Sequence, residues 1–178
     1  MFASNPALLM QPRPAIKPTA PPSTSYATGN RLGAITVTCT ADTLNGDPPA
    51  LVDGDFTQGQ SPTPPYGSTY FTDGPNSSMR IVFDFGTPKI VDEAKWYQDY
   101  SGAGGQGQWQ WYGSADGTTL TAAIGGNFEL GAGSLYPTPQ VMTALNSNTT
   151  AYRYYILAGV SGSATGGPWV IEIEFRQN

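Results

Sequence analysis

The chain contains no histidine. That removes the commonest general base and the commonest metal ligand, and with them every Ser-His-Asp or Cys-His arrangement. Cys39 is its one cysteine, so no internal disulfide can form. It belongs to the alternating run Ile35-Thr36-Val37-Thr38-Cys39-Thr40 and shares a face with Ile35 and Val37. This predicts a buried, inert thiol, because nothing beside it in the sequence would stabilise a thiolate. Basic residues are scarce: 8 Lys and Arg stand against 13 Asp and Glu, for a net charge of −5. A nucleic-acid backbone calls for a basic patch, so nucleic acid is not an expected partner. No apolar run comes near the roughly 18 residues of a membrane-spanning helix. The N-terminus has no basic stretch, and its apolar piece Ala7–Met10 is too short for a secretory signal, so none is expected. Long Leu/Ala/Glu/Lys runs at helical spacing are missing too.

What the chain has instead is 22 Gly and 16 Pro among 178 residues. Short strands joined by Gly- and Pro-rich turns predict an all-β sandwich or barrel. The stretch Gln108–Leu120 organises the rest. Trp109, Trp111 and Gly113 alternate with Gln108, Gln110 and Tyr112, as in a half-buried strand with its tryptophans in the core or at its rim. Ser114-Ala115-Asp116-Gly117 then predicts a turn, with Thr118-Thr119-Leu120 as a short return strand. Met79–Phe85 alternates even more cleanly, with Met79, Ile81, Phe83 and Phe85 on one face. Further strands are expected over Gly33–Thr40, Lys89–Gln98, Ala122–Leu130, Gln140–Leu145, Ala151–Val160 and Trp169–Phe175. The glycine-rich loop before Gln108 lacks the spacing and the Lys-Ser/Thr of a phosphate-binding loop.

Residues 1–33 read differently. Pro6, Pro12, Pro14, Pro18, Pro21 and Pro22 forbid a continuous helix or a central strand and favour extended backbone. Such a segment is a tail on its own, or an arm docked on a partner, on a neighbouring copy or on its own domain. Phe2, Leu8, Leu9, Met10 and Ile16 are the candidate anchors. Proline lowers the entropic cost of ordering an arm, because the free chain is already extended.

The order of motifs along residues 34–178 is more specific. Leu51-Val-Asp-Gly-Asp55 is followed by Thr69-Tyr-Phe-Thr72, and then by Val82-Phe-Asp-Phe-Gly86 with Ile90 after it. Ser114-Ala-Asp-Gly-Thr-Thr-Leu120, Ala151-Tyr-Arg-Tyr-Tyr-Ile156 and Trp169-Val-Ile-Glu-Ile-Glu-Phe175 complete the series. This series resembles the discoidin-like domains, also called coagulation-factor type C domains, which are galactose-binding jelly rolls. Leu120 stands where that family usually has Trp, Phe71 stands near another usual Trp, and an insertion follows Asp55. The resemblance implies a jelly-roll β-sandwich, here behind an extended Pro-rich N-terminal arm. It also implies one structural calcium ion, held by Asp53, Asp55 and Glu172, a donor set of clustered oxygens that suits a hard cation. Ligands of the family bind at loops at one end of the barrel. The aromatic residues that would form a sugar platform in such loops are Tyr66, Tyr70, Tyr100 and Tyr136.

No catalytic residues are expected. Asp53 and Asp55 are too close in sequence to flank a glycosidic bond from opposite sides. The chain therefore reads as a non-enzymatic virion protein, structural, decorating or host-attaching, most naturally of a phage. The arm would dock on a capsid or tail partner or on copies of itself, and the jelly roll would be displayed outward for a glycan or host surface. The alternative is a free carbohydrate-binding module or adhesin domain, extracellular rather than on a virion.

Overall fold

The computed structural model describes residues 25–40, 43–45, 47–56, 69–71, 79–98, 107–131, 136–162 and 170–178. The strands are β1 (Tyr26–Ala27), β2 (Thr36–Cys39), β3 (Thr43–Asn45), β4 (Tyr70–Phe71), β5 (Arg80–Lys89) and β6 (Val91–Gln98), then β7 (Gln108–Ser114), β8 (Ala122–Glu129), β9 (Gln140–Val141), β10 (Tyr152–Ser161) and β11 (Val170–Gln177). Two short 3₁₀ turns, Pro48–Val52 and Thr143–Ser147, interrupt them. One sheet has the order β1-β11-β6-β9, and the other β2-β5-β10-β7-β8. A third, small sheet pairs β3 with β4. Every strand pair is antiparallel.

The alternation expected for residues 79–85 is present: Met79, Ile81, Phe83 and Phe85 are buried, and the residues between them are half-exposed. Their rings meet those of the opposite sheet. Phe83 and Phe175 are 5.0 Å apart at 71°, and Phe85 and Phe175 are 5.2 Å apart at 75°, the edge-on contacts that aromatic quadrupoles favour. Trp109 and Trp111 are fully buried with Trp96 in this same core. Cys39 packs against it from the end of β2 and is only partly buried.

One expected strand is absent and another is cut short. After β7 the chain does not return at Thr118, because the Asp116 carboxylate accepts the N–H groups of Thr118 and Thr119 at 2.8 Å each and the Thr119 hydroxyl at 2.7 Å. These bonds curl residues 115–121 into a loop, and β8 begins at Ala122. Likewise only Gln140 and Val141 of the 140–145 segment pair with β6. The chain then turns helically to bury Leu145, and Asn148 fixes the turn by donating to the Val91 carbonyl at 2.9 Å.

Residues 25–33 belong to the sandwich rather than to the arm. β1 pairs with β11, and the Tyr26 hydroxyl donates to Glu93. Lys95 lies 3.9 Å from the centre of the Tyr26 ring, and Arg31 donates its N–H to the Val52 carbonyl at 2.9 Å. The last proline of the segment is Pro22, so from here on the backbone can supply the donors that a sheet edge requires. The proposed anchors Phe2, Leu8, Leu9, Met10 and Ile16 lie outside the described residues.

Register gives the sandwich two distinct ends. Lys89, Tyr152 and Gln177 lie at one end with the β5–β6 turn. Gln98, Gln108, Glu129, Ser161 and Val170 lie at the other. Tyr26, opposite Arg176, and Asn178, bonded to Ile90 in both directions, are at the first end.

Two measurements check this architecture. Trp111→Ala should cost about 3–5 kcal/mol in urea unfolding, the usual penalty for emptying a large aromatic site in a core. A chain beginning at Ser25 keeps every contact named above. One beginning at Ala34 loses β1 and Arg31 and should be less stable by at least about 3 kcal/mol.

Candidate functional site

The loop that follows the Pro48–Val52 turn is held by short-range bonds. Asp53 accepts the Asp55 N–H at 2.8 Å, closing a tight turn. Gly54, at its centre, has φ +76°, and a Cβ there would sit 2.3 Å from the Gly29 carbonyl carbon. Glycine is required for both reasons: the left-handed backbone and the close approach of another stretch of chain.

Gly54 also donates its N–H to Glu172 Oε2 at 2.8 Å. Glu172 projects from β11 and is fully buried, and its other oxygen, Oε1, faces Nη2 of buried Arg31. Arg31 further donates from Nη1 to the Ile173 carbonyl at 2.8 Å and the Ala27 carbonyl at 3.2 Å, and from Nε to the Gly29 carbonyl at 3.1 Å. Burial draws the guanidinium down to about 10, with the charges of Glu174 and Asp53 opposing that shift, so it stays protonated at neutral pH. Burial also raises the Asp53 carboxyl above its usual range; the charge of Asp55 adds to this, while the Asp55 N–H and Arg31 oppose it.

One step along β11, Glu174 accepts the Tyr97 hydroxyl at 2.8 Å. The Tyr97 phenol is pushed up, first by burial and then by this bond to a carboxylate. Phe56, three residues beyond Asp53, sets its ring edge-on to Tyr97 at 5.0 Å and 81°. It lies nearly parallel to Tyr136 at 5.4 Å and 29°. Tyr136 donates its N–H to the Gln98 carbonyl at 2.7 Å and leaves 45 % of its surface exposed. The result is an aromatic face, Tyr136 on Phe56 on Tyr97, at the end of the sandwich away from Tyr26 and Asn178.

Of the residues expected to bind a ligand, Tyr136 is thus placed on an exposed face. Tyr66 and Tyr100 lie outside the described residues, as does the side chain of Tyr70, whose backbone is in β4. Phe56, Tyr97 and Arg31 were not anticipated. Phe56 directly follows Asp-Gly-Asp, which was the only available hint. Two of the residues expected to hold calcium, Glu172 and Asp53, already have partners within the protein. Both Glu172 oxygens are engaged by Arg31 and Gly54, and Asp53 caps its own turn. Among the described residues no three or more His, Cys, Asp or Glu side chains are grouped to hold a metal. Among the described residues, concavities of about 330 Å³ beside β8 and β9, about 320 Å³ beside the β5–β6 turn and about 260 Å³ beside Asn146 and Asn178 lie elsewhere, and none of these is lined by Tyr or Trp.

No protein-family model matches the chain, and no curated protein does. Solved structures do. CBM32-1 of a family 31 glycoside hydrolase from Clostridium perfringens superposes with a TM-score of 0.53 at 15% identity, covering 80% of this chain and 93% of that one. The family 32 carbohydrate-binding module of C. perfringens NanJ, solved with galactose, gives 0.53 at 14%, covering 83% and 97%. The lectin-binding domain of Lectinolysin, complexed with Lewis b, gives 0.57 at 15%, covering 86% and 100%. The chain shares the jelly-roll β-sandwich fold of these structures. In this jelly roll the aromatic face sits at the loop end and the Arg31–Glu172 pair lies beneath the same loop.

Glu172→Gln leaves the Arg31 charge buried without its partner. Equilibrium unfolding in urea should show a loss of about 3–5 kcal/mol.

Proposed function

We propose that this domain binds a neutral, hydroxyl-rich saccharide on the aromatic face formed by Tyr136, Phe56 and Tyr97. The observation that carries the reading is the exposed Tyr136 ring, backed by Phe56 at the loop end of a discoidin-like jelly roll. A pyranose presents an apolar face that packs on such a ring, while its hydroxyls seek polar groups at the margin. Asp53 and Asp55 supply acceptors on the loop that bears Phe56. Charge supports a neutral ligand. The sequence has no Lys or Arg between Arg31 and Arg80, nor between Lys95 and Arg153, and Arg31 is spent on Glu172. Arg80 starts β5 near this end, but its guanidinium reaches away to the Thr118 carbonyl at 2.8 Å. A ligand carboxylate or sulfate would meet no free cation among the described residues.

The wider setting of this reading is a virion decoration or attachment protein, with a free carbohydrate-binding module or adhesin domain as the alternative. Geometry is compatible with either. Because β1 begins at the end opposite Tyr136, residues that precede it could anchor to a particle and leave the aromatic face pointing outward. The neighbours named above are binding modules, so no catalytic role is proposed.

The test is a glycan array probed with the full chain, followed by titration of the best binder. Neutral glycans should be retained and sialylated or sulfated ones not. Tyr136→Ala should weaken binding about tenfold, or ~1.4 kcal/mol, with the fold retained, because nearly half of this side chain is exposed. An array with no bound glycan, or binding that Tyr136→Ala leaves intact, would sink the proposal.

A further inference from the structure

We infer that Arg31 is a built-in substitute for a structural metal ion, so that this jelly roll closes its loop end with a guanidinium and requires no calcium. The argument rests on what surrounds the group. Its donors meet the carbonyl oxygens of Ala27, Gly29 and Ile173 and the Glu172 carboxylate, while Asp53 acts on it through its charge. Every one of these partners is an oxygen, the donor set that a hard divalent cation would choose. The bonded partners come from two separate stretches of chain, β1 with the turn after it and the last strand, and the charge of Asp53 reaches the group from a third, the loop before Phe56. Joining distant loops through one central cation is the work that a structural metal does. Arg31 does it covalently attached, with no dependence on ion concentration.

The chemistry of the group suits the task. A guanidinium presents five N–H donors in a fixed plane and does not surrender its proton at neutral pH. It therefore meets several fixed carbonyls at once, where a lysine ammonium would be a single point. Burial is nearly complete for both partners, 6% exposure for Arg31 and 0% for Glu172. Among the described residues neither Arg31 Nη2 nor Glu172 Oε1 has another hydrogen-bond partner, so each faces the other.

If Arg31 stands in for an ion, removing its side chain should expose an oxygen-lined cavity that a free cation can fill. The full chain would be melted in millimolar calcium and in EDTA. The two midpoints should coincide, and a midpoint that calcium raises and EDTA lowers would overturn the inference. Arg31→Ala would then be melted alone, with calcium, with guanidinium at low millimolar concentration, and with sodium chloride at matched ionic strength. Calcium or guanidinium should raise its midpoint by roughly 5–10 °C, and sodium chloride should not. The rescue should vanish in Arg31→Ala/Glu172→Gln, which lacks the anionic wall. Should Arg31→Ala fail to fold unaided, recovery of its folded circular-dichroism signal on refolding with either cation supports the inference. Absence of rescue by both cations refutes it. Thermal and spectroscopic readouts do not involve a saccharide, so this result stands or falls separately from glycan binding.

Discussion

The buried pair of Arg31 and Glu172 is the constraint on which the rest of the loop end depends. Burying two charges costs several kcal/mol per ion, and their attraction alone does not assure a net gain. What it imposes is uniqueness. A guanidinium stripped of water must find acceptors, and the four that it meets sit at fixed places on two stretches of chain, residues 27–29 and 172–173. Any arrangement that moved the segment after β1, the last strand or the 53–56 loop out of place would strand a charge in the interior. The pair is therefore better understood as setting geometry than as adding stability.

From that point the structure separates into two halves with different physics. Between the sheets, stability comes from apolar area: Phe83, Phe85 and Phe175 interlock edge to face, with Trp96, Trp109 and Trp111 fully buried beside them. On the outer face of the β1-β11-β6-β9 sheet, polar groups answer one another across strands. Arg176 bonds Asp92 and Glu93 at 2.6 and 3.0 Å, Lys95 covers the Tyr26 ring, and Tyr97 bonds Glu174. Each outward residue of β11 in the row Glu172, Glu174, Arg176 has a partner of opposite polarity on another stretch. Cross-strand pairing of this kind fixes register, since a slip of one residue would face every group with the wrong neighbour.

How far the sequence disclosed this depended on whether a feature was local. Period-two alternation is local, so Met79–Phe85 and the Trp109/Trp111 strand could be read directly, and the order of motifs was enough to suggest the jelly roll. The loop at residues 115–121 was misjudged because the Asp-Gly signal for a hairpin turn competes with a carboxylate that captures the two following N–H groups. The 3₁₀ turn at Thr143–Ser147 exists because Leu145 is buried and Asn148 reaches Val91, contacts from 57 residues away that no local pattern announces. Arg31 was hidden for another reason. It stands in a polar, proline-flanked stretch with nothing around it to suggest burial, and its partner lies 141 residues further along, so only the folded chain brings the two together. The same distance hid the pairing of Glu172, whose place beside Gly54 and Arg31 is set only in the folded chain.

If the aromatic face binds a saccharide as proposed, the same linkage orders it before any ligand arrives. The 53–56 loop is tied to β11 at two places: Gly54 donates to Glu172, and Phe56 packs on Tyr97, which is itself bonded to Glu174. Two outward carboxylates, alternate residues of one strand, thus hold the loop at its centre and at its aromatic end. Tyr136, although exposed, rests on Phe56 and is fixed at its backbone by Gln98. A ring held in this way loses little rotational freedom when a ligand covers it, so more of the stacking energy is realised as affinity. A weakly held tyrosine on a mobile loop would lose part of that energy in becoming ordered. The charge pattern acts in the same direction. On the proposed reading, with Arg31 turned inward to Glu172 and Arg80 bonded to Thr118, selectivity would be left to shape, stacking and hydrogen bonding.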